Sequence, residues 1–257
     1  MDALNSTLQP YTASLPPPFR NLGLSLLGPH CYTTLILHLN PYNPPCLTLA
    51  LSKTLGIAIV AGSAVVKIPQ ILKLLTSQSA AGVSFLSYAL ETASLVTTLA
   101  YSARNGFPFS TYGETALIAV QNVVICLLVL RYSGNTLGSA GFVGALVAAG
   151  WALQDSKIVD GGMLKWAQAA AGVVGAGSKL PQVLMVWREG GTGVLSAFAV
   201  FNYLVGSLSR IFTTVQEVDD PLILYGFVAG FVLNAVLAGQ MVWVLPFHSH
   251  SPRPPHF

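Results

Sequence analysis

Long apolar stretches separated by short polar turns run along most of the chain, from Leu51 to Leu245. A helix needs about 20 mainly apolar residues to cross a bilayer, and most of these stretches approach that length. The shortest stretch is rich in Gly and Ala, as a connecting helix can be. The pattern predicts seven membrane helices, with the approximate limits Lys53–Leu75, Val83–Ala103, Gly113–Tyr132, Gly138–Leu153, Leu164–Trp187, Val194–Val215 and Pro221–Leu245.

One polar tetrapeptide occurs twice inside these apolar stretches. Lys67-Ile68-Pro69-Gln70 and Lys179-Leu180-Pro181-Gln182 lie 112 residues apart, and the same offset relates Asn122 to Asn234. Recurrence at one fixed offset is typical of a duplicated structural unit. The sequence therefore predicts an all-α polytopic membrane protein with two three-helix repeats.

The predicted helices are grouped as three, one and three. A first repeat at residues 51–133 is followed by a linker helix at residues 134–163 and a second repeat at residues 164–245. A single helix between the repeats gives both copies the same orientation in the membrane, as in transporters with parallel repeats. A tail follows at residues 246–257. Residues 1–50 are Pro-rich and contain no run long enough to cross a bilayer, so we expect an arm at the membrane interface.

The composition excludes an ordinary soluble domain. Charged residues make up 8% of the chain, whereas soluble proteins contain about 25%. The three cysteines, Cys31, Cys46 and Cys126, show no metal-binding spacing and are odd in number, so we expect small apolar residues and not a disulfide. No nucleophile or acid–base motif and no metal-ligand or cofactor-binding motif is found, and the sequence predicts a protein that is not an enzyme and that uses no cofactor.

The Pro-Gln pairs are candidate hinges. A proline inside a helix removes a hydrogen-bond donor and kinks the helix, and the freed carbonyl still needs a partner in lipid. The adjacent amides of Gln70 and Gln182 can supply that partner. A static bend explains a single Pro-Gln equally well, but matched bends at Pro69 and Pro181 favour a pair of moving helices.

Several charged and polar residues fall within predicted membrane helices. Intramembrane charges usually face a cavity or a partner, although a lysine near a helix end can also extend to the interface. Lys67, Lys179 and Arg210 together form a candidate phosphate-binding set, because arginine and lysine suit an anionic headgroup. Glu91 is expected to pair with one of these cations. The remaining candidates for polar residues lining the cavity are Asn122 and Asn234.

The sequence contains only weak evidence for the orientation of the protein in the membrane. Arginine and lysine residues flank both predicted faces and barely discriminate between them. The acidic loop at residues 216–221 favours an extracytoplasmic N-terminus and a cytoplasmic C-terminus.

Three segments carry a family resemblance beyond the Pro-Gln motif. They are residues 52–70, the segment Asn105-Gly-Phe-Pro-Phe-Ser110, and residues 206–221, which include Gly206-Ser-Leu-Ser-Arg210, Gln216-Glu217 and Asp220-Pro221. With the three-one-three plan, they resemble the mannose-phosphate-dolichol utilization defect family within the PQ-loop repeat superfamily. The resemblance covers about residues 46–245 and implies a SWEET-like fold.

The resemblance also implies a function. Members of that family are endoplasmic reticulum membrane proteins that allow lumenal glycosyltransferases to use dolichyl-phosphate-mannose and dolichyl-phosphate-glucose. These donors serve N-glycosylation, GPI-anchor biosynthesis and protein mannosylation. The implied partners are the lipid-linked sugars and the lumenal transferases. Three molecular roles remain open at this point: movement of the lipid between leaflets as a scramblase, presentation of the lipid to transferases, or transport of a soluble solute.

Overall fold

The computed structural model describes residue 12 and residues 14–177, 183–184 and 197–248, and all regular structure in this part of the chain is helical. A short π-helical segment, Thr33–Leu37, follows the first helix. The longer helices are α1 (Pro17–Tyr32), α2 (Pro44–Ser63), α3 (Ile68–Ser77), α4 (Phe85–Arg104), α5 (Phe109–Tyr132), α6 (Thr136–Gln154), α7 (Gly161–Gly177), α8 (Ala197–Glu217) and α9 (Pro221–His248).

Four helical stretches in the described residues are long and apolar enough to cross a membrane. They are Pro44–Ser77, Phe109–Tyr132, Thr136–Gln154 and Pro221–Gln240. The predicted multi-pass, all-helical membrane class is thereby confirmed. The full set of seven crossings stays a prediction, since parts of the fifth and sixth predicted helices lie outside the described residues.

The first membrane helix begins earlier than the apolar pattern predicts. Helix α2 begins at Pro44 and not near Lys53. Asn43 caps it, because its side-chain oxygen accepts a hydrogen bond from the backbone N–H of Cys46 at 3.2 Å. Pro44 and Pro45 occupy the first turn, where a missing N–H costs nothing. Pro44 and Pro45, which lie in the stretch that we expected to form an interfacial arm, therefore start the helix.

The expectation that no disulfide forms is wrong. Cys31, at the end of α1, is bonded to Cys46, in the first turn of α2, and their Cα atoms lie 5.1 Å apart. Between the two cysteines the chain reverses after the π-helical segment, where Leu39 has a left-handed φ of 48°. An odd cysteine count concealed the pair, since the third cysteine, Cys126, is a buried free thiol in α5.

The ends of several helices meet at one end of the bundle, which we call the disulfide end. There Tyr101, near the end of α4, donates a hydrogen bond from its hydroxyl to Asp220 at 2.6 Å. Asp220 also caps the start of α9 by accepting from the N–H groups of Leu222 and Ile223. Arg104 donates to the carbonyls of Leu153 and Val159 in the adjoining turn. The two halves of the chain are thus joined by polar contacts at this end.

Helices α2 and α5 approach each other closely at Gly56. A Cβ atom at this position would lie 2.8 Å from the backbone oxygen of Ser110, which is shorter than any ordinary contact. Small residues at helix contacts permit such approaches in membrane proteins. Gly56 therefore sets the spacing of two of the three helices that carry the polar site described below.

We predict opposite outcomes for two glycine substitutions in α2. Gly56→Ala should destabilise the protein by about 1–3 kcal/mol, because the added methyl group overpacks a backbone contact. Gly62→Ala is the matched control, since a Cβ there meets nothing within 4 Å and alanine favours helix by up to about 1 kcal/mol. Unfolding in detergent measures both values. Equal stability of the two variants would contradict the close approach.

Candidate functional site

A buried carboxylate lies between the two repeats at the disulfide end. Glu217 is the last residue of α8, and its side chain is 1% exposed. Ser52 donates to its Oε1 at 2.5 Å, while Lys53 Nζ and Ser110 Oγ donate to its Oε2 at 2.5 and 2.7 Å. Lys53 Nζ also donates to Ser110 Oγ at 3.2 Å. The carboxylate is therefore charge-paired and fully hydrogen-bonded.

A second ion pair adjoins the first. Arg210, which is 4% exposed, places its Nε 2.7 Å from Oε1 of Glu114. Its Nη1 donates to the backbone oxygen of Ser110 at 3.1 Å. The Nε contact is an ion pair without an aligned hydrogen bond, and Nη2 has no hydrogen-bond partner within the described residues. Ser110 joins the two pairs, through its hydroxyl to Glu217 and through its carbonyl to Arg210.

These six residues form what we call the inter-repeat cluster. Helices α2 and α5 of the first repeat and α8 of the second contribute its members, which are Ser52, Lys53, Ser110, Glu114, Arg210 and Glu217. Two cations face two carboxylates, so the cluster carries no formal excess charge. Removing one partner from a buried pair typically costs about 3–5 kcal/mol, because a buried charge is left uncompensated. The cluster therefore holds the two repeats together at this end.

The cluster is built only once, although the chain is duplicated. Moving each member by 112 residues gives a residue of different chemistry in five of the six cases, and Lys53 alone keeps its type. The counterparts, in the order given above, are Leu164, Lys165, Leu222, Gly226, Thr98 and Asn105. The general packing of a repeat does not require such an asymmetric network. The asymmetry of the network is better explained by a role that the two repeats do not share.

Lys67 and Glu91 form a third ion pair. The Nζ atom of Lys67 lies 3.0 and 3.1 Å from the two carboxylate oxygens of Glu91. It also lies 5.1 Å from the ring centre of Tyr88, which is within the range of a cation–π contact. The side chains of Lys67 and Glu91 are 21% and 41% exposed, respectively. This pair is therefore more accessible than the inter-repeat cluster.

Partial exposure predicts a weak ion pair between Lys67 and Glu91. Such pairs contribute about 0–1 kcal/mol, so Lys67→Met and Glu91→Gln should each change the unfolding free energy by no more than about that amount. If the pair opens during function, each single variant should lower activity more than stability, and the double variant should recover part of the loss. A double-mutant cycle on both quantities provides the measurement. Unchanged activity in all three variants would contradict a functional pair.

The helix breaks just before Pro69, and it is not simply bent there. Helix α2 ends at Ser63 and α3 begins at Ile68, with a tight turn between them. Gln121 of α5 satisfies this break: its Nε2 donates to the Ser63 carbonyl, and its Oε1 accepts from the Lys67 N–H, both at 2.9 Å. Gln121 thus does at this break what we expected of Gln70. The sequence signal for it was present, since the pair at residues 121–122 interrupts an apolar helix.

The second Pro-Gln motif lies outside the described residues. This applies to Lys179, Pro181 and Gln182. The hinge and phosphate-binding roles predicted for these residues therefore stay predictions.

The two repeat-related asparagines have different environments. Asn234 donates from Nδ2 to the Tyr203 carbonyl at 3.0 Å and to Ser207 Oγ at 3.1 Å. Asn122 is 0% exposed, and neither its amide nitrogen nor its amide oxygen has a hydrogen-bond partner among the described residues. A buried amide without partners costs about 1–3 kcal/mol. Asn122 is therefore the stronger candidate for contact with a ligand.

The predicted cationic set is not assembled in one place. Lys67 pairs with Glu91 and touches α5 at Gln121, whereas Arg210 pairs with Glu114 on the same helix. Seven residues of helix separate these two contact points on α5, which corresponds to about 10 Å. Lys67 and Arg210 thus lie at different depths, each with its own carboxylate.

Asn122 follows Gln121 on α5 and so lies at the level of the Lys67–Glu91 pair. It is 13 residues from the start of α5, or about 20 Å along the helix. The hydrocarbon core of a bilayer is about 30 Å thick, so Asn122 is near mid-depth. Lys53 and Glu114 were not among the predicted site residues, because lysine and glutamate near the ends of predicted helices normally reach water. Gln121 was not among them either, because Gln70 was expected to take its role.

Comparison with known proteins agrees with this duplicated architecture. The family described as PQ loop repeat matches residues 51–111 and 163–223, two segments related by the 112-residue offset. The chain is 30% identical over 182 residues to human (Homo sapiens) "Solute carrier family 66 member 3", covering 70% of this chain and 85% of that protein. No solved structure matches significantly. The membership of the mannose-phosphate-dolichol utilization defect family stays a resemblance, but the repeats and the relative together show that this chain is a multi-pass membrane protein of the PQ-loop repeat family.

Proposed function

We propose that this protein facilitates movement of dolichyl-phosphate-mannose and dolichyl-phosphate-glucose between the leaflets of the endoplasmic reticulum membrane. The sugar-phosphate headgroup passes between the two repeats, while the polyprenyl tail remains in lipid. Lumenal glycosyltransferases then use the donor. The PQ-loop architecture supports a carrier-type path, because parallel-repeat transporters handle their cargo between the repeats.

One observation carries the choice of cargo. The three segments that resemble the dolichol utilization family are far apart in sequence, yet each contributes to the inter-repeat cluster. Residues 52–70 contribute Ser52 and Lys53, the segment at residues 105–110 contributes Ser110, and residues 206–221 contribute Arg210 and Glu217. The resemblance thus corresponds to one three-dimensional feature, whose residues are mostly not repeated at the positions 112 residues away.

The charge balance identifies Lys179 as the cation to test. Lys67 and Arg210 already face carboxylates. The repeat position that supplies Glu91 to Lys67 is occupied by Tyr203 in the second half, so duplication gives Lys179 no equivalent acid. A lysine of this kind suits the phosphate of a lipid headgroup as a point charge. The amide of Asn122, near mid-depth, suits the sugar hydroxyls.

The test is rescue of dolichol-dependent glycosylation in cells that lack their own family member. Lys179→Ala should impair rescue strongly, whereas Lys73→Ala, an exposed lysine near the end of α3, should rescue fully. Lys179→Arg, which keeps the charge, should rescue better than Lys179→Ala. Equal and complete rescue by all of these variants would contradict a phosphate contact at Lys179.

A second candidate function is transport of a water-soluble solute. The similarity to a protein named as a solute carrier favours it. Uptake of a labelled free sugar into vesicles that contain the purified protein, with no effect of dolichyl phosphate as competitor, would support this alternative over lipid movement.

A further inference from the structure

Helix α1 is covalently attached to α2, the first membrane helix. The Cys31–Cys46 disulfide joins the end of α1 to the first turn of α2. Within the arm, the ring of buried Tyr32 packs so closely on Gly23 that a Cβ there would lie 2.6 Å from it. The arm is therefore folded back on itself and covalently attached at its base.

The attachment point lies at the membrane surface. Helices α2 and α3 contain 20 and 10 residues, or about 30 and 15 Å of helix, and a bilayer with its headgroups is about 40–45 Å thick. The first turn of α2 thus reaches the headgroup region, and with it Cys46. In the next turns Leu47 and Leu51 are 49% and 51% exposed, as expected for lipid-facing residues. The end of α1 is consequently held beside this lipid-facing surface.

The exposed side of α1 has the chemistry of an interfacial helix. Phe19 and Leu22 are 63% and 56% exposed and lie one turn apart on the same face. Arg20 and Asn21 are also exposed but point around the helix from that face. Helices with apolar residues on one side and polar residues on the other bind at the boundary between headgroups and acyl chains.

We propose that α1 is an interfacial anchor whose partner is the lipid leaflet facing an oxidising compartment, and that the Cys31–Cys46 disulfide holds it there. Disulfides persist in oxidising compartments and are rare where glutathione keeps thiols reduced. On formation, the two thiols lose two protons and two electrons to the disulfide of a protein oxidoreductase, which becomes a dithiol. The disulfide thus places the arm on the oxidising side of the membrane. The charges of the loops barely indicate this orientation.

This assignment extends to the inter-repeat cluster. Ser52 and Lys53 are less than two turns of α2 from Cys46, so the cluster lies at the same end as the disulfide. The two repeats are then closed towards the oxidising compartment, and the Lys67–Glu91 pair lies towards the reducing one.

The experiment uses the full-length protein in phospholipid nanodiscs, with a diazirine amino acid at position 22 or, as control, at position 21. Photolysis should give about threefold or more lipid adduct from Leu22 than from Asn21. Replacing both Cys31 and Cys46 by serine should reduce the adduct at position 22 to about the control value. Equal labelling at the two positions, or labelling unaffected by loss of the disulfide, would overturn the anchor.

A thiol count tests the compartment separately. Protein from native membranes, denatured directly in maleimide without reductant, should show one labelled cysteine, and a parallel sample that is reduced before labelling should show three. The single reactive thiol is Cys126. Three reactive cysteines without reduction would overturn the assignment to an oxidising compartment, whatever the outcome for the proposed transport.

Discussion

Replacing Glu217 by alanine is expected to produce the largest loss of both stability and activity. The substitution leaves the buried ammonium of Lys53 without its carboxylate, and it removes the shared acceptor of Ser52 and Ser110. Breaking a buried pair in this way costs about 3–5 kcal/mol. Thermal unfolding in detergent measures the loss of stability, and rescue of dolichol-dependent glycosylation measures the loss of activity.

Two further variants separate charge pairing from general damage near Glu217. Asp219→Asn removes an exposed acid two residues away and should leave both quantities unchanged. The double variant Lys53→Met with Glu217→Leu replaces the pair by apolar side chains, which is often neutral for stability. It should recover stability but not activity. A double variant with full activity would mean that the cluster acts only as packing.

Arg210→Ala should have the second largest effect. The arginine is 4% exposed and joins Glu114 to the Ser110 carbonyl, so its loss leaves a carboxylate and a carbonyl without a partner. We expect destabilisation by about 3 kcal/mol or more and a strong loss of glycosylation rescue. Unfolding and rescue are measured as for Glu217.

Substitution by lysine tests the geometry at Arg210. Lysine keeps the charge but cannot reach two acceptors with a planar fork, so Arg210→Lys should recover only part of the stability. Arg131→Ala, at the exposed end of α5, is the matched arginine control and should behave as the wild type. Equal behaviour of Arg210→Ala and Arg131→Ala would contradict the buried ion pair.

Repetition and apolar length were enough to predict the class of this protein. The repeated Lys-x-Pro-Gln motif showed the 112-residue offset that also relates the two segments matched by the family. It also led to Lys67, whose partner Glu91 was among the expected candidates. Hydrophobic periodicity and motif spacing are properties of the sequence alone. They can therefore be recognised without knowing which helices pack against each other.

The cluster could not be predicted in the same way. Ser52, Ser110 and Glu217 come from three distant segments, and their contacts depend on how α2, α5 and α8 pack. A lysine or glutamate near a helix end usually extends to water, so Lys53 and Glu217 carried no local signal of burial. Burial here results from the second repeat covering the first.

The arm shows a different limit. Prolines at positions 44 and 45 break a helix in its interior but are favoured in its first turn, and the sequence did not reveal which case applied. Cys31 and Cys46 were dismissed because the cysteine count was odd, although their bond joins the end of α1 to the first turn of α2. Pairing depends on the path of the chain between them.

The most direct test of the proposed function is transbilayer movement of labelled dolichyl-phosphate-mannose in vesicles that contain the purified protein. We expect movement several times faster than in protein-free vesicles, and a rate near the protein-free value for vesicles with Glu217→Ala. Binding of the lipid without faster movement would indicate a protein that presents the donor to transferases. A wild-type rate equal to that of protein-free vesicles would contradict the account.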